Sequence, residues 1–153
     1  MINDNTKYIG SAIVSMIDSY DEDGIFIRRI VDDKSGFYLI NDKLPILCKY
    51  STKRTNPWSF TLTKEITDRY ISLVKQYNEC LLVLICGTDG IVSLDYLDVC
   101  QVINFDLEEE QKRISASRKH KEMYAVSGSD GSMKHKISQK SIGEKLNKIL
   151  QGA

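Results

Sequence analysis

The sequence has little of what marks membrane, secreted or metal-centred proteins. It contains no run near the ~18 consecutive apolar residues that a membrane span requires, and its start, MINDNTKY, lacks the basic and apolar stretches of a secretory signal. Its two histidines lie far from other ligand types, and its four cysteines show no C-x-x-C spacing. We therefore expect a soluble cytoplasmic protein without a membrane partner, in which Cys48, Cys80, Cys86 and Cys100 are buried reduced thiols.

Charge is abundant, and it is segregated along the chain. The formal net charge is zero, but residues 1–42 carry −4, residues 43–111 carry −3 and residues 112–153 carry +7. Such a division could attract a phosphate backbone or an acidic protein surface to the basic third. Alternatively, the basic third folds back on the acidic N-terminal part.

Hydrophobic periodicity predicts a helix, three strands, a second helix and a buried strand, in that order. Thr6 is a candidate N-cap of the first helix and Thr63 of the second. The three strands are expected over residues 24–31, 37–40 and 44–51, with a loop over residues 52–61 after them. The run Cys80–Cys86 is apolar throughout, which is typical of a central strand covered on both faces.

The rest of the chain predicts a mostly β extension and a last helix. A strand over residues 91–94 precedes a short helix that Asp95 could cap, and Ser141 with Glu144 forms a capping-box pattern before the last helix. Three further strands are expected over residues 113–117, 123–127 and 133–137. We predict a single α/β domain over residues 1–153, with an αβββαβ core on a central mixed sheet (1–107) and a basic extension packed on it (108–153).

One segment carries a specific motif. Residues 46–54, ILCKYSTKR, are followed by a loop, an amphipathic helix and the apolar strand from Cys80. This arrangement resembles the archaeal Holliday junction resolvases of the PD-(D/E)xK nuclease superfamily, in which a strand ending in E-x-K-S-T-K precedes the same elements. The resemblance covers residues 6–86 and implies a restriction-endonuclease-like fold.

In that family, two carboxylates hold a divalent cation beside the scissile phosphate, and a lysine orients the attacking water or steadies the developing charge. The resemblance assigns the lysine to Lys49, which matches, and the acid two residues earlier to Leu47, which cannot bind a metal. The same position suits a lysine whose stem packs along the sheet with its ammonium group in water.

The resemblance places the upstream aspartate near Ser35 or Gly36, where Asp33 and Asp42 are the nearest carboxylates. Glu65 or Asp68, on the next helix, would be a migrated acid, and otherwise both belong to a solvated first helical turn. Because Mg²⁺ requires several oxygen ligands, a site with at most one carboxylate would bind it poorly. The resemblance thus implies a degenerate site without a cofactor, and Mg²⁺ only in an active nuclease.

Basic residues beside the motif and in the last third are candidate contacts for nucleic acid or a protein partner. Trp58 stands near Lys53 and Arg54, and its ring could stack on a base or pack in the core. The other candidates are Arg118, Lys119, Lys121, Lys134 and Lys136. They would bind phosphate in a salt-dependent way if they share one face, and otherwise form a solvated surface.

These observations favour a nucleic-acid-associated protein that binds DNA, or a DNA-processing enzyme, without cleaving. The alternatives are a non-enzymatic protein-interaction module, such as a small inhibitor or regulator of phage or mobile-element origin, and an active metal-dependent nuclease with a migrated acid. A homodimer is a further option for the assembly.

Overall fold

The structure, a computed structural model, describes residues 1–22, 24–30 and 36–152. In chain order its elements are α1 (Asp4–Ser19), β1 (Ile27–Arg29), β2 (Phe37–Ile40), β3 (Leu44–Ser51), β4 (Trp58–Thr63), α2 (Lys64–Tyr77), β5 (Leu81–Cys86), β6 (Gly90–Leu94), α3 (Tyr96–Val102), β7 (Gln111–Ser117), β8 (Ala125–Gly128), β9 (Gly131–Ser132) and α4 (Ser141–Gln151). Asp33, a candidate carboxylate, lies outside the described residues, as does residue 31 at the end of the first predicted strand.

The central sheet is mixed and has the strand order β1-β2-β3-β5-β6. Strands β3 and β5 are parallel, and the other neighbours are antiparallel. For the central sheet and its first two helices, the predicted order of helix, three antiparallel strands, helix and strand is confirmed, and so is the α/β class. The carboxyl ends of the parallel strands β3 and β5 meet at one edge of the sheet, and the candidate functional site lies at this edge.

Apolar side chains cover both faces of the central sheet. On one face α1 and α4 pack through residues that include Ile9, Met16 and Leu146. On the other face lie α2, α3 and a second sheet, which contribute Tyr70 and Val99 among others. This double cover explains why every residue of β5 is buried. Of the described helices, none has the length and hydropathy to span a bilayer.

The second sheet, with the order β4-β7-β8-β9, includes a strand that the sequence analysis missed. Residues 58–63 were expected in or just after a loop, but they form β4 and pair with β7 from Trp58↔Ala116 to Thr63↔Gln111. Their burial alternates strictly, as the apolar-polar pattern of WSFTLT would predict. The pattern was short and lay between two stronger signals.

Two predicted helix caps were wrong. Asn3, not Thr6, caps α1: the Thr6 N–H donates to Asn3 Oδ1 at 2.9 Å. Ser141 is the first residue of α4, and its hydroxyl accepts a hydrogen bond from the Ser93 N–H at 2.9 Å. That long-range contact fixes α4 against β6, so no capping box forms at this end. Thr63 and Asp95 do cap α2 and α3 as predicted.

Two further expectations differ from the structure. The strand expected over residues 133–137 does not form. Strand β9 ends before it, at Ser132, and of the expected residues only Ile137 pairs, in an isolated bridge with Tyr124. Cys48, Cys80 and Cys86 are buried free thiols as expected, but Cys100 is exposed because it lies on the outer side of α3.

Candidate functional site

Lys49 lies near the carboxyl end of β3. Side chains alternate along a strand, so Lys49 points to the same face as Leu47, whose cluster also contains Trp58. Strand β2 begins at Phe37, opposite Leu47. Residues 49–51 therefore extend past β2 and, among the described strands, pair with β5 alone.

A cavity of about 550 Å³ opens beside Lys49. It is lined by Asn5, Ile9, Gly36, Cys48, Lys49, Tyr50 and Ile66. No described residue accepts a hydrogen bond from the Lys49 ammonium or forms an ion pair with it. Burial lowers the pKa of this ammonium group. A bound anion would reverse that penalty, since an opposite charge stabilises the ammonium form.

The structure shows no ion pair between Lys49 and a candidate acid of the described residues. Leu47 is fully buried in the core. Asp42 lies beyond the opposite end of β3, roughly 20 Å away by the rise of a strand, and its Oδ1 pairs with Arg28 Nε at 3.2 Å. Glu65 is an exposed residue in the first turn of α2.

The described residues do not fit a magnesium site at Lys49. Mg²⁺ prefers carboxylate oxygens in near-octahedral geometry, and no carboxylate belongs to the described wall of the Lys49 cavity. Across residues 1–22, 24–30 and 36–152, no group of three or more His, Cys, Asp or Glu side chains is placed to hold a metal.

Trp58 is a core residue and not an exposed platform. Only 2% of it is exposed, its Nε1–H donates to Lys53 O at 2.9 Å, and its ring meets Tyr124 edge-on at 6.2 Å. The core alternative is the one observed, so stacking of this ring on a base is excluded in this conformation. Its bond to Lys53 O instead fixes the loop that carries the exposed Lys53 and Arg54.

The Arg118 side chain belongs to a cluster of hydrogen-bonded side chains and is not a free surface cation. Its Nε donates to Asp89 Oδ2 at 2.8 Å and its guanidinium lies 4.6 Å from the centre of the Tyr124 ring. The Tyr124 hydroxyl donates to the same Asp89 oxygen at 2.6 Å, and Gln139 Oε1 accepts from Arg118 at 2.8 Å. Arg118 thus joins the β5–β6 turn to the chain after β7. No local sequence pattern indicated that Asp89 and Tyr124 would pair with Arg118 and with each other, because Asp89 lies far from both in the chain.

The Asn56 side chain joins the two loops at this end of the molecule, since its Nδ2 donates to Arg118 O at 3.0 Å. Exposed cations of both loops, together with the half-buried Lys49, then lie at the carboxyl end of the parallel pair. We call this set, which is Lys49, Lys53, Arg54, Lys119 and Lys121, the basic edge. None of its members forms an ion pair with a described residue.

The remaining basic candidates lie apart or are paired. Lys136 pairs with Glu122 at 3.5 Å, and Lys134 lies by the end of α3, where its N–H donates to Gln101 Oε1 at 3.4 Å. The last helix of the basic third does pack back on the N-terminal part: Asn147 Nδ2 donates to Ser19 O at 2.9 Å, and Asn147 Oδ1 accepts from the Asp21 N–H at 2.9 Å. No ion pair among the described residues joins the basic third to residues 1–42, so this packing is apolar and hydrogen-bonded and not a pairing of charges.

The Asp89 cluster predicts a specific pH dependence. Burial opposes ionisation of Asp89, but hydrogen bonds from Tyr124 and Arg118 outweigh it, so its pKa lies below the ordinary 3.8. Between the two values the unfolded chain binds more protons. This stabilisation is therefore complete above about pH 4 and is lost as pH falls through the folded pKa.

We expect Asp89→Asn to flatten the loss of unfolding free energy below pH 4 and to cost about 1–2 kcal/mol at neutral pH. Urea unfolding across a pH series measures both. Asp42→Asn is the control, because its exposed pair contributes no more than about 0.5 kcal/mol. Parallel acid limbs for wild type and Asp89→Asn would contradict the assignment.

No protein-family model matches the chain, and no curated protein matches it. Among solved structures, the Holliday junction resolvase Hjc of the archaeal hyperthermophile Archaeoglobus fulgidus is similar, with a TM-score of 0.49 and 10% identity. The similarity covers 72% of this chain and 83% of that chain. At this level the similarity assigns neither a family nor an activity to this chain.

Proposed function

We propose that this protein binds nucleic acid along the basic edge without cleaving it. The observation that carries the proposal is the half-buried Lys49 ammonium, which faces a cavity and has no acidic partner among the described residues. A cation held in this way is matched by a phosphate, whose charge offsets the cost of desolvating the ammonium.

The other cations of the basic edge would contact further phosphates of the same backbone. Lys53 and Arg54 lie on one side, and Lys119 and Lys121 lie on the loop that Asn56 holds beside them. Contacts of this kind add affinity without reading sequence, because they meet only the backbone. The basic edge therefore favours the shape of the nucleic acid over its base sequence.

The test is the salt dependence of binding to duplex, single-stranded and four-way-junction DNA. Lys49→Met keeps the apolar stem and removes the charge, and we expect it to weaken binding to all sequences equally and to reduce the slope of log K against log salt by about one. Lys148→Met, on the exposed side of α4, is the matched control and is expected to leave the slope unchanged. The proposal fails if wild type binds none of the three DNA forms at low salt, or if both variants behave alike.

Cleavage is tested separately, by incubating labelled junction and duplex DNA with Mg²⁺ or Mn²⁺. We expect equal background from wild type and Lys49→Ala, because the resemblance assigns the position of a metal-binding acid to Leu47. Metal-dependent cleavage that Lys49→Ala abolishes would favour the nuclease with a migrated acid, and Glu65→Gln would then test the acid on α2.

A further inference from the structure

A second cavity, of about 480 Å³, lies beside α2 and shares no lining residue with the Lys49 cavity. It is lined by Thr67, Asp68, Ile71, Ser72, Lys75, Tyr96, Phe105 and Asp106. Two aromatic rings, an aliphatic side chain and several polar groups converge on one concave surface. That composition is typical of a small-molecule site.

The aromatic wall is planar and firmly supported. The Phe105 ring stacks on Tyr70 at 5.8 Å and 16°, and on Tyr96 at 6.2 Å and 25°. Tyr70 is buried beneath them, and its hydroxyl donates to Cys80 O at 3.0 Å. Because Tyr70 is fixed, Phe105 and Tyr96 are held in nearly parallel planes and remain half-buried at the cavity. A flat ring is the shape that continues such a stack.

The polar part of the wall carries a cation and an anion that have no partner among the described residues. Lys75 and Asp106 have no ion pair with a described residue, and no described partner accepts or donates to either side chain. The Thr67 Oγ1 is buried and also lacks a hydrogen-bond partner among the described residues. An apolar ligand would leave these groups unsatisfied, whereas a heterocycle with donors and acceptors on its edge would use them.

We propose that this cavity binds a nucleobase that carries an exocyclic amine, stacked on Phe105 and Tyr96. The Asp106 carboxylate accepts from the amine, as acidic side chains do from bases. The Lys75 ammonium lies at the rim, where the phosphate of a nucleotide would meet it. This site goes beyond the basic edge and does not depend on it, since its determinants are stacking and edge hydrogen bonds rather than a row of cations.

The experiment compares adenosine with inosine, which has a carbonyl oxygen where adenosine has the amine. Both are titrated into the full chain and followed by amide chemical shifts and calorimetry. We expect saturable adenosine binding that perturbs residues of α2 and α3, weaker inosine binding, and an approximately tenfold or greater loss of adenosine affinity in Phe105→Leu, which removes stacking and keeps an apolar side chain. Asp106→Asn should reduce the preference for adenosine over inosine. Phe26→Leu, at an exposed ring outside the cavity, is the control.

A single-stranded adenine oligonucleotide, titrated in parallel, separates two sources of the base. Saturable binding of adenosine assigns the cavity to a free nucleotide, and binding of the oligonucleotide alone assigns it to an unpaired base within a strand. The proposal is overturned if neither ligand perturbs this cavity, or if Phe105→Leu and Phe26→Leu bind as wild type does. Because amide spectra report folding of each variant, a loss of binding in an unfolded protein is recognised directly.

Discussion

Trp58→Ala is expected to lower the free energy of unfolding by about 3–5 kcal/mol, the usual cost of removing a large buried aromatic side chain. The indole is almost completely buried, and it meets Tyr124 as well as the backbone of Lys53. Its removal leaves a cavity between the two sheets and an unsatisfied carbonyl at the base of the Lys53 loop. Thermal and urea unfolding measure the loss.

Two further variants separate the core role of Trp58 from a role in binding. Phe26→Ala removes an aromatic ring that is 56% exposed, and it should change stability little. Trp58→Phe keeps a ring in the core and loses only the Nε1 bond, so it should remain folded and bind DNA much as wild type does. A folded Trp58→Phe protein with abolished DNA binding would contradict the assignment of Trp58 to the core.

Lys112→Met should destabilise the protein by about 3 kcal/mol, because it leaves a carboxylate without its cation in a shielded position. The Nζ of Lys112 lies 2.8 Å from Asp130 Oδ2. Both side chains are shielded from solvent, since the Lys112 side chain is 3% exposed and the Asp130 side chain is 9% exposed. Burial alone would lower the pKa of Lys112, but the bond to Asp130 outweighs it, and the same bond lowers the pKa of Asp130. Lys112 also donates to Asn104 O at 3.3 Å, which ties β7 to the segment after α3.

Lys64→Met provides a matched control for this pair. Lys64 Nζ lies at the same 2.8 Å from Asp68 Oδ2, but these two side chains are 52% and 64% exposed. Exposed pairs within a helix contribute little to stability, because solvent screens their charges. The two variants thus compare equal distances at unequal burial, and similar losses in urea unfolding would show that burial does not set the strength of the Lys112 pair.

Strong and local signals predicted most of the fold. Strands β2 and β3 occupy the predicted residues, and Thr63 and Asp95 cap their helices, because apolar periodicity and capping act over a few neighbouring residues. Strand β4 was missed because its partner, β7, lies far along the chain, and pairing with it decides whether residues 58–63 form a strand. The hydroxyl of Ser141 was misassigned for the same reason, since Ser93 competes for it.

For the candidate site too, local patterns were predictable from the sequence and long-range contacts were not. The pattern around Lys49 placed this lysine correctly at the carboxyl end of a strand, on the face of Leu47. It could not separate Arg118 from Lys119 and Lys121, although the first is enclosed by Asp89 and Tyr124 and the others are exposed. Adjacent residues of equal charge differ only in their long-range contacts, and sequence spacing does not contain that information.

The pairing of β4 with β7 also has a consequence for synthesis on the ribosome. The nearest paired residues, Thr63 and Gln111, are 48 positions apart, so the buried side of β4 has no strand to cover it until that later segment has left the exit tunnel. During this interval the nascent chain presents Trp58, Phe60 and Leu62 to solvent, and exposed apolar strand edges favour aggregation. The early half of this protein is thus the part that would need a chaperone.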